Sequence, residues 1–140
     1  MSHLILSGKF CPYCNCETSL VKGDLIYPRH AIENPTAPFL RKFYYQCVQN
    51  SDHYVGTYSD NITSLGRVAD GELRIWKQKG HSIFDPLWKE KLYFSSQQSA
   101  YDWLSKKMEK PLSETHFGMF IIDECKKAIL FCESLIHKKS

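Results

Sequence analysis

A chain of 140 residues is the length of one ordinary domain, or of a metal-stapled module joined to a small helical one. Hydrophobic residues at 43% and charged residues at 24% exclude wholesale disorder, and no apolar run reaches the ~20 residues of a membrane span. The net charge of +3 is small: residues 1–64 carry five basic and five acidic side chains, residues 65–140 thirteen and ten. That balance permits nucleic-acid contact without demanding it.

Residues 1–6 are too short for the apolar core of a signal peptide and lack a basic lead. The expected location is the cytoplasm, with no membrane partner, where paired thiols stay reduced and bind metal. Residues 4–6 read as a short strand leading into Cys11-Pro12-Tyr13-Cys14. Two thiolates at this spacing grip one side of a tetrahedral zinc ion. Glu17 to Val21 and Asp24 to Tyr27 flank Lys22-Gly23, which reads as a two-residue hairpin turn. Prolines 28, 35 and 38 mark a loop. Phe43-Tyr44-Tyr45-Gln46-Cys47 and His53-Tyr54-Val55-Gly56-Thr57-Tyr58 are aromatic and β-branched, and so read as strands.

Between those strands lies the other half of the metal site. Cys47 follows a strand, as an opposing knuckle should, and His53 is the best fourth ligand, with Asp52, Cys16 and His30 as competitors. Four protein ligands leave no open position, so the zinc is expected to be structural.

After Asn61 the pattern changes. Leu65, Ala69, Leu73, Trp76 and Gly80 recur at helical spacing. Arg67, Arg74 and Lys77 are expected to face outward while Leu73 and Trp76 face the core. Asp85-Pro86 reads as the cap and first position of a new short helix. Ser95 with Gln98 resembles a capping box before Ala100, Tyr101, Leu104 and Met108, and Pro111 ends that helix. A last helix carries Cys125, Ala128 or Ile129, Cys132 and Leu135 on one stripe, where the two cysteines are core residues.

The ordered set Cys11-Pro12-Tyr13-Cys14, Tyr54-Val55-Gly56, Leu65-Gly66-Arg67-Val68-Ala69, Glu72-Leu73-Arg74, His81-Ser82-Ile83-Phe84-Asp85-Pro86-Leu87-Trp88, Tyr101-Asp102-Trp103-Leu104 and His116-Phe117-Gly118-Met119-Phe120 spans nearly the whole chain. It resembles a bacterial and phage family known as a zinc-finger-containing domain, which has no established activity. The resemblance implies a zinc-binding amino-terminal part. Members similar to this chain usually bring a second Cys-x-x-Cys before the Tyr-Val-Gly, but here Ser51 stands near the expected fourth cysteine, which makes His53 its replacement. They also carry an aspartate after the Gly-Met-Phe, where this chain has Ile121.

The expected fold is α+β, a zinc-ribbon-like β module over residues 1–62 followed by three or four helices over 63–140 packed on it. The expected function is a zinc-containing binding module without catalytic residues, associated with DNA or RNA through Arg67, Arg74 and Lys77. The alternative is a protein-interaction module that holds a replication or transcription partner. A metal-dependent hydrolase using His81, Asp85 or His116 is the third reading. His81 and Asp85 lie one helical turn apart, which lets the carboxylate orient the imidazole, but a triad would still need a nucleophile.

Overall fold

Residues 43–47, FYYQC, are the centre of the amino-terminal sheet because both faces of this strand are covered. The computed structural model describes residues 2–139. It opens with the short helix α1 (Ser2–Leu6), then β1 (Phe10–Cys11) and β2 (Cys16–Lys22). Helices α2 (Gly23–Ile26) and α3 (Pro28–Glu33) and a 3-10 turn at Pro38–Arg41 precede β3 (Phe43–Cys47) and β4 (Tyr54–Gly56). The four strands form one antiparallel sheet in the order β1-β2-β3-β4.

Alternation along β3 sends its side chains to two different cores. Tyr45 and Cys47 join Cys11, Val55 and Val68 in a buried cluster that Cys14 and Cys16 pack against. Tyr44, on the other face, meets the Tyr27 and Tyr54 rings at 5.9 and 6.1 Å between centroids. Tyr27 also sits edge-on to Phe39 at 4.9 Å. Two hydroxyls tie the sheet to its loops, Tyr45 Oη donating to Ile62 O (2.6 Å) and Thr57 Oγ1 to Phe43 O (2.8 Å).

Several sequence expectations change in this unit. Residues 4–6 are helical, not a strand. Lys22-Gly23 is no hairpin: β2 pairs with β1 and β3, and Gly23 begins α2. The glycine serves a close approach, since a Cβ there would lie 2.2 Å from Phe39 O and 2.8 Å from Leu40 Cα. The proline-marked loop contains α3, with Pro28 at its first position, where a missing N–H costs nothing. The helical reading of residues 65–69 also fails. Leu65 N donates to Gly56 O, and Tyr54 and Ala69 exchange both main-chain bonds, so this stretch runs extended along β4. Val68 and Ala69 are buried while Leu65 is 40% exposed.

The backbone divides into two compact units, one up to Gly71 and one from Glu72 onward. The second holds three helices, α4 (Gly71–Lys89), α5 (Gln97–Met108) and α6 (Ile122–Lys139). The fold class is therefore α+β, as the sequence indicates. Helix α4 runs through Asp85-Pro86 and does not restart there. Pro86 falls in the last turn, where it removes one main-chain donor, and the buried Phe84 and Leu87 keep that turn on the core.

Helix α5 starts one residue later than the Ser95–Gln98 pattern implies. Ser96 is the cap: its Oγ accepts from Ser99 N (3.1 Å), and Ser99 Oγ accepts from Ser96 N (3.3 Å). The helix ends at Met108, three residues before Pro111, with Glu109 in the left-handed region at φ 55°. In α6, Cys125, Ala128 and Cys132 are fully buried, and Glu124 Oε1 accepts from Ile121 N (3.0 Å) at its start. Glu124 also pairs with Lys110. The core of this unit is Phe84, Phe117, Phe120, Leu73 and Leu104 with the two cysteines.

Candidate metal centre

The β1–β2 turn is the first half of the site. Cys11 ends β1 opposite Cys16, and Asn15 takes a positive φ of 56°, folding Cys14 back beside Cys11. The β3–β4 turn is the second half. Cys47 ends β3, its N–H donates to His53 O (2.9 Å), and His53 N–H donates to Asn50 O (3.1 Å). Because β2 and β3 are antiparallel neighbours, the start of one lies beside the end of the other, and both turns meet at one end of the sheet.

There the Sγ atoms of Cys11, Cys14 and Cys47 and a ring nitrogen of His53 lie within 4.8 Å of one another. His53 Nδ1 is 3.6 Å from Cys11 Sγ and 3.5 Å from Cys14 Sγ. A tetrahedron with metal–sulfur bonds of ~2.3 Å and metal–nitrogen bonds of ~2.0–2.1 Å has a sulfur–nitrogen edge of about 3.5 Å. The donors present therefore fit a tetrahedral ion, and their chemistry, three soft sulfurs and an imidazole, fits zinc.

The sequence-level competitors lie outside this group. His30 stacks edge-on to Phe39 at 5.3 Å, and the exposed Asp52 donates its N–H to Asn50 Oδ1. Cys16 is close, at 3.4 Å from Cys47 Sγ, but is not one of the four mutually close donors. Tyr13 is a contributor that sequence reasoning missed. Its ring stacks on the His53 imidazole at 4.6 Å, and its hydroxyl accepts from Asp70 N (3.4 Å). An aromatic between the two knuckle cysteines was the available signal.

The thiols do not share charge evenly. Burial opposes ionisation of Cys47, but the N–H groups of Gln49 and Asn50 and the neighbouring Cys16 and Cys11 thiols outweigh it and bring its pKa to about 6. Gln49 N lies 3.4 Å from the Cys47 sulfur. Burial first, and then interaction with Cys47, push Cys14 up to about 12, and burial also raises Cys11 and Cys16. Cys47 is thus the most acidic thiol of the cluster, and the other cysteines would give up their protons on holding a zinc ion.

The other singled-out residues fall elsewhere. Arg67 lies in the sheet unit, near enough to Tyr13 to act on its hydroxyl, while Arg74 and Lys77 lie on α4 of the second unit. All three are half-buried, short of the outward position expected, and Lys77 Nζ donates to Gly118 O (3.4 Å). Trp76 is likewise half-buried, off the core stripe, with Lys79 and Lys126 Nζ at 4.5 and 5.0 Å from its ring centre. His81 Nδ1 lies 3.2 Å from Asp85 Oδ2, in an open cleft of ≈ 370 Å³ lined by five residues of α4 and by Glu90 just after it. Among the described residues, the only group of His, Cys, Asp or Glu placed to hold a metal is the one above, and it contains neither His81, Asp85 nor His116. Also among the described residues, no helix is long and apolar enough to cross a membrane.

Two hairpin tips that converge three thiols and an imidazole define a zinc-finger-type metal module. The chain belongs to the family described as a zinc-finger-containing domain, whose profile matches residues 7–134. No curated protein and no solved structure matches it.

Proposed function

We propose that this chain is a binding module built around one structural zinc ion, held by Cys11, Cys14, Cys47 and His53, and that it associates with nucleic acid. The observation that carries the zinc reading is the four-donor geometry, whose sulfur–nitrogen separations of 3.5 and 3.6 Å match a tetrahedral edge. Four protein donors fill the coordination sphere, so the ion organises the sheet end and activates no water. Three thiolates remain available for metal in a reducing compartment, which favours the cytoplasm.

Nucleic-acid association is supported by the thirteen basic residues after Ser64 and by Trp76, whose ring is flanked by two ammonium groups. Arg67, Arg74 and Lys77 supply phosphate contacts, which position a strand without reading its sequence. Each neutralised phosphate contributes a slope of about −0.9 in log affinity against log salt on duplex DNA. Arg67→Ala/Arg74→Ala/Lys77→Ala is expected to weaken binding and flatten that slope with zinc content unchanged. Zinc-loaded wild type that shifts neither DNA nor RNA at low salt removes the nucleic-acid half of the reading.

A protein partner is the second reading. It rests on Leu25 and Ile32 of the α2–α3 excursion, 62% and 83% exposed. Nuclease-resistant complexes that Leu25→Ser/Ile32→Ser abolishes would favour it.

A further inference from the structure

The sheet unit carries four thiols and the tetrahedron uses three. The one left over, Cys16, is nevertheless in contact with the site, its Sγ 3.4 Å from Cys47 Sγ. The register accounts for this. Thr18 opposes Cys47, so Cys16 stands two residues earlier, at the start of β2, beside the turn that begins at Cys47. Cys16 is partly exposed, whereas Cys47 is 4% exposed. A disulfide brings two sulfurs to about 2.0 Å, so this pair has to close by only about 1.4 Å. Both cysteines sit where a strand meets a turn, the part of a sheet that shifts most readily.

We propose that Cys16 is an oxidant-sensitive thiol that couples hydroperoxide exposure to release of the metal, through a disulfide with Cys47. The inference rests on the zinc reading above. Cys16 first gives up its proton to solvent, since the thiolate is the nucleophile. Its sulfur then attacks one oxygen of the hydroperoxide as the O–O bond breaks, and the displaced oxygen takes up a proton. An S–O bond forms, giving a sulfenic acid, and one water leaves when hydrogen peroxide is the oxidant. The Cys47 sulfur then leaves the metal and attacks the Cys16 sulfur. The S–S bond forms as the S–O bond breaks, and the departing hydroxide takes a proton to become a second water. The two sulfurs give up two electrons, which the peroxide accepts. Only Cys11, Cys14 and His53 would then remain as donors, too few to keep a zinc ion in place. A thiol reductant restores both sulfurs, and the restored site takes up zinc when zinc is supplied.

The arrangement separates the two jobs of the cluster. Cys11 and Cys14 share His53 as their close neighbour, whereas Cys16 has Cys47. Cys11 faces Cys16 across the β1–β2 ladder, but the 3.4 Å sulfur–sulfur contact makes Cys47 the ligand that an oxidised Cys16 meets first. Cys125 and Cys132, fully buried in the other unit, take no part.

The test uses the full chain, reduced and zinc-loaded, with hydrogen peroxide added in small excess. Zinc release is followed by a chromogenic chelator, and the cross-link is located by fragment-ion mapping. Fragmentation has to separate Cys16 from Cys11 and Cys14, which share a tryptic peptide with it. Expected are zinc release together with a Cys16–Cys47 disulfide, both reversed by a thiol. Cys16→Ser should hold as much zinc as wild type when reduced and release it several-fold more slowly. Cys16→Ala gives the same readout should the serine hydroxyl disturb the packing. Release from Cys16→Ser at the wild-type rate overturns the proposal, as does a cross-link from Cys47 to Cys11 or Cys14. Reduced Cys16 variants that are folded but zinc-poor would make Cys16 a ligand, which also overturns it. Zinc-loaded wild type that resists peroxide removes this coupling alone, whereas reduced wild type without zinc removes the metal reading beneath it.

Discussion

Gly80 and Phe117 occupy adjoining space with nothing to spare: a Cβ on Gly80 would fall 2.0 Å from Phe117 Cε1 and 2.5 Å from its Cδ1. Phe117 is fully buried and has no room to step aside. Its ring lies against Phe120 at 5.2 Å, Phe84 at 5.9 Å and the His81 imidazole at 4.9 Å. The glycine in the middle of α4 is therefore a packing requirement. It lets an aromatic from the segment before α6 lie against the helix backbone.

Gly80→Ala accordingly opposes two effects. Helix propensity gains about 1 kcal/mol, while forcing a methyl into a filled core costs about 1–3 kcal/mol. With a clash against a ring that cannot move, the net expectation is a loss of about 1–2 kcal/mol, read from the urea midpoint. Adding Phe117→Leu should recover part of that loss. A Gly80→Ala protein more stable than wild type would mean that Phe117 is not fixed where it is described.

Metal content tests the donor set directly. Wild type purified without added zinc should carry close to one equivalent, and chelation should lower its stability. Cys11→Ser, Cys14→Ser, Cys47→Ser and His53→Ala should each fall below about half an equivalent, because three donors close a tetrahedron poorly. His30→Ala and Asp52→Ala should keep the full amount, since both lie outside the four. Zinc retained by His53→Ala would assign the fourth position elsewhere.

Cys125 and Cys132 are expected to be chemically silent. Burial pushes their thiols up to about 11 and about 12, so both remain protonated at neutral pH. Replacing either by alanine should cost roughly 1 kcal/mol for the lost packing and leave zinc unchanged. Serine should cost more, about 1–3 kcal/mol, because a hydroxyl at a fully buried position lacks a prepared partner. Rapid labelling of either thiol in the native protein would contradict this.

His116 sets a pH dependence in the second unit. Burial first, and then the Lys77 and His81 charges, hold its imidazole below the ordinary value of 6.5. The neutral form is thus favoured in the folded state. Its contribution is complete above the unfolded value and is lost as pH falls through the folded one. Between pH 7 and 5 the wild type should lose stability that His116→Gln retains. Acid loss of the metal is common to both proteins and cancels in the comparison. Parallel pH profiles would show that His116 titrates alike in both states.

The metal half of the sequence was readable because its chemistry is local. Cys11 and Cys14 announce a turn that aims two sulfurs one way, and the aromatic run 43–47 could only be a strand. The Leu65 stretch misled because apolar residues three and four apart fit a helix and an irregular extended segment equally well. Only the pairing with Tyr54, a contact across sequence, decides between them. Adjacent serines defeated the α5 boundary: either could cap, and Ser96 does so because Ser99 faces back toward it. Gly23 misled in another way. Its environment, the Phe39 and Leu40 backbone, arrives from residues well down the chain. The proximity of Cys16 to Cys47 follows from strand register, which no spacing within one segment encodes.

The chain leaves the sheet after Lys22 and rejoins it at Phe43, and these two residues face each other in the β2–β3 ladder. Gly23 N donates to Lys42 O at 2.8 Å, closing the neck of the excursion between them. The four donors gather at the opposite end of that ladder, where Thr18 faces Cys47. The length of the excursion is therefore mechanically decoupled from the coordination geometry, since loop-closure entropy changes only logarithmically with length. Trimming it to a tight turn would uncover the Tyr44 ring yet leave the donor tetrahedron intact. Enlarging it would hang new surface on an unchanged metal clamp. This neck is the natural grafting point of the module.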